Sequence, residues 1–220
     1  MKIGFIGAGT VGTAMAVRLS QRGYAVVAAA SRTFASAEKL AAAVPGCRAY
    51  PGLQSVADAA DLVFITTPDA AIGPVAASLK WRSGQSVCHC SGADSLDVLK
   101  PVAACGAVPG GFHPLQTFAG AAQAIENLPG STFGIEASEP LLSVLKKMAN
   151  DLHGSWVELK AGDKVLYHAA AVISCNYMVT LVKIAADLWH NFGVPPAHAI
   201  EAQMPLLRGT HNNQIGRAHV

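Results

Sequence analysis

Residues 2–12 read Lys2-Ile3-Gly4-Phe5-Ile6-Gly7-Ala8-Gly9-Thr10-Val11-Gly12, and this stretch decides the fold. The apolar run over residues 3–6 is a strand with both faces buried. Glycines 7, 9 and 12 follow it in the spacing G-x-G-x-x-G. Alone, that spacing is weak. Here it follows a strand, opens a helical pattern over residues 11–22 and precedes a second apolar strand over 25–30, the context a dinucleotide-binding turn requires. Gly7 permits the tight turn, Gly9 lets the backbone approach a pyrophosphate, and Gly12 lets helix and strand pack closely. The free N–H groups at the helix start, around Thr10 and Val11, face the diphosphate.

Outward from this turn, short apolar runs alternate with helical stretches. A helix is read over 34–43, an extended piece over 48–50, a strand over 62–65, a helix over 70–79, a strand over 86–90 and a helix over 95–105 broken by Pro101. Such alternation gives a parallel sheet with right-handed crossovers. Residues 108–118 (VPGGFHPLQTF) cluster proline and glycine and read as a loop or linker. A strand, helix and strand over 131–137, 139–152 and 156–160 then continue the sheet. From 162 the pattern is wholly helical. Residues 162–192 have no internal glycine or proline, so one helix of ~46 Å is predicted. Gly193 and Pro195-Pro196 end it, and a further helix covers 198–208.

The fold class is therefore α/β: a Rossmann-type, doubly wound, mostly parallel sheet followed by an all-α second domain. Residues 1–128 form the dinucleotide-binding domain and 129–214 the second domain, whose part 161–214 is helical and incomplete. Residues 215–220 (IGRAHV) are what ATC GGA AGA GCA CAC GTC encodes, a common sequencing-adapter sequence. They are expected to be a non-native tail on a chain truncated near Gln214.

Composition excludes several classes. Hydrophobic residues make up 51% of the 220 and charged residues 14%, the reverse of a disordered chain. The net charge is +2 with no basic stripe, which argues against nucleic acid. Five scattered cysteines and no targeting segment point to reduced thiols in the cytoplasm. Residues 165–182 carry no formal charge and meet the length of a membrane span. Tyr167, His168, Ser174, Asn176, Tyr177 and Thr180 within them are costly in lipid and ordinary in a protein-covered helix, so no membrane is expected.

The end of the second strand selects the cofactor. An NAD binder places a carboxylate there, whereas this chain has Ala29-Ala30-Ser31-Arg32-Thr33. Ser31 and Thr33 can donate hydrogen bonds and Arg32 can pair with a 2′-phosphate, a contact of roughly 1.5–3 kcal/mol. NADP(H) is predicted. Ligands in open parallel sheets lie beyond the carboxyl ends of the strands, which places Thr67, Pro68 and Ser91 near the nicotinamide half. Asp69 reads as a cap of the next helix. Cys88-His89-Cys90 invites a metal reading, but on a strand His89 points away from the two thiols, and no second ligand pair exists, so no metal site is predicted.

The segments Gly7 to Gly12, Ser31-Arg32, HCSGA from His89, GFHPLQTF from Gly111 and YHAAAVISCNYMVTL from Tyr167 together resemble one family. It pairs an N-terminal Rossmann-like domain with a C-terminal domain of unknown function 2520. More distantly the layout is similar to pyrroline-5-carboxylate reductase, ketopantoate reductase and the deazaflavin-dependent NADP reductases. The resemblance implies NADP-linked reduction and a helical domain that forms a homodimer. It implies no particular substrate.

Hydride transfer to a carbonyl or imine needs a donor for the developing alkoxide or amine. His113, in the Gly/Pro segment, is the first acid–base candidate; the alternative is a histidine that ties the segment down. On the long helix, Lys164 and His168 lie 40° apart at 100° per residue, with Tyr167 and Ser174 on an adjoining face. Lys164, His168, Ser174 and Asn176 are the further candidates, set against the alternative that they only hydrogen-bond within the protein. Ser174 can instead bond back to the carbonyl of Ala170. The reading is an NADP-dependent oxidoreductase acting on a small carbonyl or imine. The rival is a non-catalytic NADP(H) sensor or interaction module, which turnover would separate from it.

Overall fold

The computed structural model describes residues 1–213, and the tail assigned to 215–220 lies outside the described residues. Eight strands form one sheet in the order β3-β2-β1-β4-β5-β6-β7-β8. They are β1 (Lys2–Ile6), β2 (Ala25–Ala30), β3 (Arg48–Ala49), β4 (Leu62–Ile65), β5 (Ser86–His89), β6 (Val108–Leu115), β7 (Thr132–Ala137) and β8 (Ser155–Glu158). Every neighbouring pair is parallel except β6 with β7. The helices between them are α1 (Thr10–Gln21), α2 (Phe34–Ala42), α3 (Leu53–Ala59), α4 (Asp69–Ser78), α5 (Lys100–Ala104), α6 (Ala121–Asn127) and α7 (Leu141–Asp151). The short helices α3 and α6 have no counterpart in the sequence reading. Arg18 of α1 holds α6 through the carbonyl of Ile125.

Alternation along each strand divides the core into two layers. Phe5, Phe64, Phe112 and Phe133 pack on one face with α1 and α7. Their ring centroids step across the sheet at 5.3, 5.9 and 4.5 Å, with Cys88 of β5 filling the place of a ring. The opposite face holds Ile6, Val63, Ile65 and Val87 against α3, α4 and α5.

Residues 108–118 are corrected by the structure. They are not a linker: Val108–Leu115 is β6, paired parallel to β5 and antiparallel to β7. Proline removes a ladder N–H and glycine normally weakens a strand, which is why the segment reads as a loop. Here the glycines answer to packing. A Cβ on Gly110 would lie 2.8 Å from Cys88 Sγ and 2.9 Å from Leu141 Cδ2, and one on Gly111 would lie 3.0 Å from Lys164 Nζ. Asp69 is corrected too: Pro68 is the N-cap of α4 and Asp69 the first helical residue.

The chain divides into two compact units, Met1–Tyr167 and from His168 onward. The strand–helix–strand of 129–160 joins the sheet of the first unit. The run Asp163–Phe192 is long and apolar enough to cross a membrane by length and composition, with a mean hydropathy of 1.6. It is not one uniform α-helix. It consists of α8 (Asp163–Val172), a π segment (Ile173–Tyr177), α9 (Met178–Trp189) and a 3-10 turn (His190–Phe192). The angular spacing assumed for Ser174 and Asn176 therefore fails beyond Val172. Ser174 Oγ donates to the carbonyl of Ala170 at 2.8 Å, and such back-bonding perturbs a helix at that turn. Gly193, with φ +83, closes the run in the left-handed region. In the second unit α9 packs against α10 (Pro196–Asn213), and the two enclose an apolar groove of about 810 Å3 lined by Met178, Val182, Ile200, Met204 and Leu207.

Phe112 is fully buried at the centre of the aromatic row. Phe112→Ala is expected to cost about 3–5 kcal/mol, lowering the thermal midpoint by roughly 10 °C. Calorimetric melting of the two proteins checks this.

Candidate functional site

Strand β1 ends at Ile6, and Gly7 turns the chain at φ +107. A Cβ there would stand 2.7 Å from the backbone of Thr66, and one on Gly12 would stand 2.4 Å from Gly7 O and Thr66 Oγ1. Thr66 Oγ1 donates to Gly7 O at 2.6 Å and ties the turn to β4. Gly9 differs from both, since a Cβ there would meet nothing within 4 Å. Protein packing accounts for two of the three glycines. The third faces open space at the start of α1, where no side chain caps the helix. Free N–H groups at such a terminus favour an anion.

That space is a cleft of about 730 Å3. Gly7 and Gly9 form its floor, Thr67 and Pro68 one wall, and Ser31, Arg32, Thr33 and Ser36 its far end. Thr67 Oγ1 is buried with no hydrogen-bond partner, an orphan that a bound group would satisfy. Of the predicted cofactor residues, Gly7, Gly9, Ser31, Arg32, Thr67 and Pro68 line this cleft. Thr10, Val11 and Gly12 form the first turn of α1 beside it. Ser91 does not join them. Its hydroxyl accepts the N–H groups of Ala93 at 3.2 Å and Asp94 at 3.0 Å, closing its own turn.

A second polar group lies on the sheet face opposite the phenylalanine row. His89 of β5 pairs in register with Gly111 of β6, Gly111 with Glu136 of β7, and His113 with Gly134. The start of α8 lies over these residues. Tyr167 sits over Gly134, where a Cβ would be 2.9 Å from its ring, and its Oη is 2.9 Å from His113 Nδ1. Lys164 is only 2% exposed. Its Nζ donates to Asp94 O at 2.7 Å and Ser91 O at 3.2 Å, and it lies 3.4 Å from His89 Nε2 and 3.8 Å from Glu136 Oε2.

Burial controls the protonation of this group. It pushes His89 down to about 3, with Lys164 and His113 adding to the effect. It pushes Tyr167 up to about 12, keeping the phenol protonated. It raises the Glu136 carboxyl, against the pull of Lys164, and lowers the Lys164 ammonium, against the pull of Glu136.

The structure thus brings Lys164 and His113 into one face of the first unit. His113 is on strand β6, not in an interdomain loop as the sequence implied. His168, Ser174 and Asn176 belong to the second unit. His168 is half-buried with Nδ1 enclosed and unpartnered, Ser174 is exposed and bonded back to its own helix, and Asn176 is exposed. His89, Glu136 and Tyr167 were not among the predicted site residues. Gly111 and Gly134 were the available signal, because a glycine in a strand interior marks a close approach.

These features define a Rossmann-type α/β protein with a dinucleotide-sized cleft at its first strand–helix turn. The chain belongs to the Rossmann-like domain family, which matches residues 1–114, and it carries a domain of unknown function, DUF2520, over residues 131–218. It is similar to a candidate NADP oxidoreductase from Bacteroides fragilis, with 26% identity over 97% of this chain and 81% of that one and a TM-score of 0.78. It shares its fold with a reductive aminase from Aspergillus terreus in complex with NADPH and ethyl levulinate (21% identity, 96% and 73% covered, TM-score 0.74). It also shares it with a 1-pyrroline-5-carboxylate reductase from Streptococcus pyogenes (18%, 100% and 82%, TM-score 0.72). No curated protein matches the chain.

The lowered His89 group gives a pH prediction. The folded state keeps His89 neutral down to about 3, while the unfolded chain takes up a proton near 6.5. Its contribution is complete above 6.5 and is lost as pH falls toward 3, at up to about 1.4 kcal/mol per pH unit. Thermal midpoints measured from pH 7 to 4 should fall more steeply for the parent protein than for His89→Asn. Parallel profiles would count against it.

Proposed function

We propose that the protein is an NADP(H)-dependent oxidoreductase that moves a hydride between the nicotinamide and a small carbonyl or imine compound. The open space over Gly9, continuous with the Ser31–Arg32 end of the cleft, carries this reading. Gly9, Thr10 and Val11 would hold the pyrophosphate through their N–H groups. Ser31 and Arg32 would hold the 2′-phosphate, and Thr67 would lend its unpartnered hydroxyl. The bound cofactor supplies or accepts the hydride. The similarity to the Bacteroides fragilis protein supports the same cofactor.

The proton has its own donor. His89 is the last residue of β5 and pairs with Gly111, yet β6 runs on to Leu115. His113 therefore stands beyond the carboxyl ends of the central strands, the side on which open α/β sheets bind ligands. Tyr167, kept protonated by burial, shares a hydrogen bond with His113. The pair can deliver one proton to the oxygen or nitrogen of a substrate receiving a hydride and retrieve it in the reverse direction.

We further propose a homodimer formed through the helical unit, in a reducing cytoplasm compatible with five free cysteines. Leu166, Ile173, Val179, Leu181, Leu188 and Leu206 are all more than half exposed, an apolar surface too large for a lone soluble chain. A second copy covers it better than lipid does, because Lys183 and Asp187 form an ion pair on the same helix at 2.6 Å. Light scattering should return twice the chain mass; a monomer would refute the dimer.

Titration calorimetry should show NADPH bound at least roughly 10-fold more tightly than NADH, and Arg32→Ala should remove that preference while sparing NADH. His113→Ala and Tyr167→Phe should each lower kcat by about 10²-fold or more with NADPH affinity unchanged. Tight NADPH binding with no oxidation by any carbonyl or imine would favour the sensor.

A further inference from the structure

The hydrogen bonds around Lys164 can be counted, and the count fixes protons. A neutral imidazole carries one N–H. His89 Nδ1 accepts the N–H of Ser91 at 3.2 Å, so the ring proton is on Nε2. That N–H points at Lys164 Nζ, 3.4 Å away. An ammonium has no lone pair and would oppose donor to donor. A neutral amine has one lone pair for His89 and two N–H groups, which the carbonyls of Asp94 and Ser91 accept at 2.7 and 3.2 Å. Every donor and acceptor on Lys164 Nζ and on the His89 ring is then matched, while the Glu136 carboxyl accepts the backbone N–H of Leu96. Glu136 agrees with this. Its Oε2 is buried, has no hydrogen-bond partner and stays 3.8 Å from Nζ, whereas a carboxylate facing an ammonium in a dry site closes to about 2.7–2.9 Å.

We infer that Lys164 is held as the neutral amine, accepting a hydrogen bond from His89 Nε2, while Glu136 holds the proton as a carboxylic acid. The pair has the same total of protons as the ion pair, so no proton enters or leaves. The burial-driven shifts, down for Lys164 and up for Glu136, act in the same sense. The other groups facing the pair are Asp69 on α4, Asp94 and Cys90 after β5, His113 on β6, and Asp97 and Asp163 near Glu136. Asp97 is paired with Lys100, and Asp163 accepts the N–H of Lys160.

Lys164 is thereby a positioning residue. Its two N–H groups fix the loop of residues 91–94, which follows β5. Its lone pair is engaged by the N–H of His89 Nε2, so the amine holds the loop and the imidazole in place. This inference does not depend on the proposed activity.

Proton-coupled nitrogen-15 NMR of lysine-labelled full-length protein at pH 7 tests it, with Lys164 assigned by its loss in Lys164→Arg. An NH2 triplet at Lys164 together with a protonated His89 Nε2 is expected. An NH3 quartet, or a proton on His89 Nδ1, would overturn the inference. Glu136→Gln gives a readout without resonances, because the amide mimics a carboxylic acid. The thermal midpoint should stay within about 2 °C of the parent if Glu136 is already neutral. A loss on the order of 10 °C would mean that a buried ammonium had lost its counter-charge, and would refute the assignment.

Discussion

A buried lysine against a bare strand backbone is the constraint around which half of this sheet is arranged. Lys164 Nζ needs the space a side chain on Gly111 would fill, and Tyr167, one helical turn on, needs the space over Gly134. These two positions lie on adjacent strands, and both rows must be open for Lys164 and Tyr167, at the start of α8, to reach the strand backbone. The polar ends of the two side chains then need partners. His113 serves Tyr167, and the carbonyls of Ser91 and Asp94 serve Lys164. Glycine in the strand, lysine on the helix and the tight turn after β5 are one solution, and a change to any one of them disturbs the others.

The same economy explains the opposite face. Where β6 presents Gly110 instead of Gly111, the gap is filled by Leu141 and Cys88, and the aromatic row continues with Phe112 and Phe133. Strand β6 therefore alternates between an apolar seam and a polar pocket at single-residue resolution. A one-residue slip of its register would bury His113 among phenylalanines and expose Phe112 to the polar cluster, which specifies the pairing strongly.

How much of this was legible follows from the range of each interaction. The turn at Gly7 to Gly12 is local, and its strand, glycines and helix are contiguous, so sequence alone placed it and most of the strands of the sheet. The apolar runs of β1, β4 and β5 announce themselves for the same reason. Strand β6 reads as a loop because its glycines answer to residues distant in sequence, Gly110 to Cys88 and Leu141 and Gly111 to Lys164. Ser91 was assigned to the cofactor because its hydroxyl stands at a strand end, yet that hydroxyl is occupied by two backbone N–H groups three residues or fewer away. Lys164 and His113 were singled out from chemistry, but their true neighbours, Glu136, His89 and Tyr167, depend on sheet order and register. The bond from Ser174 back to Ala170 is legible as an option from the serine alone, but a helix free of glycine and proline gives no hint that the turn over Ile173–Tyr177 widens into a π segment.

The two halves of the chain solve opposite problems. In the first unit nearly every large apolar side chain of the sheet is covered, so residual polarity can be concentrated at the carboxyl ends of the strands and tuned by burial. In the second, leucines and valines of α8, α9 and α10 face outward, and the chain's low content of charge leaves little to solvate them. A surface of that kind is stable only against another apolar surface.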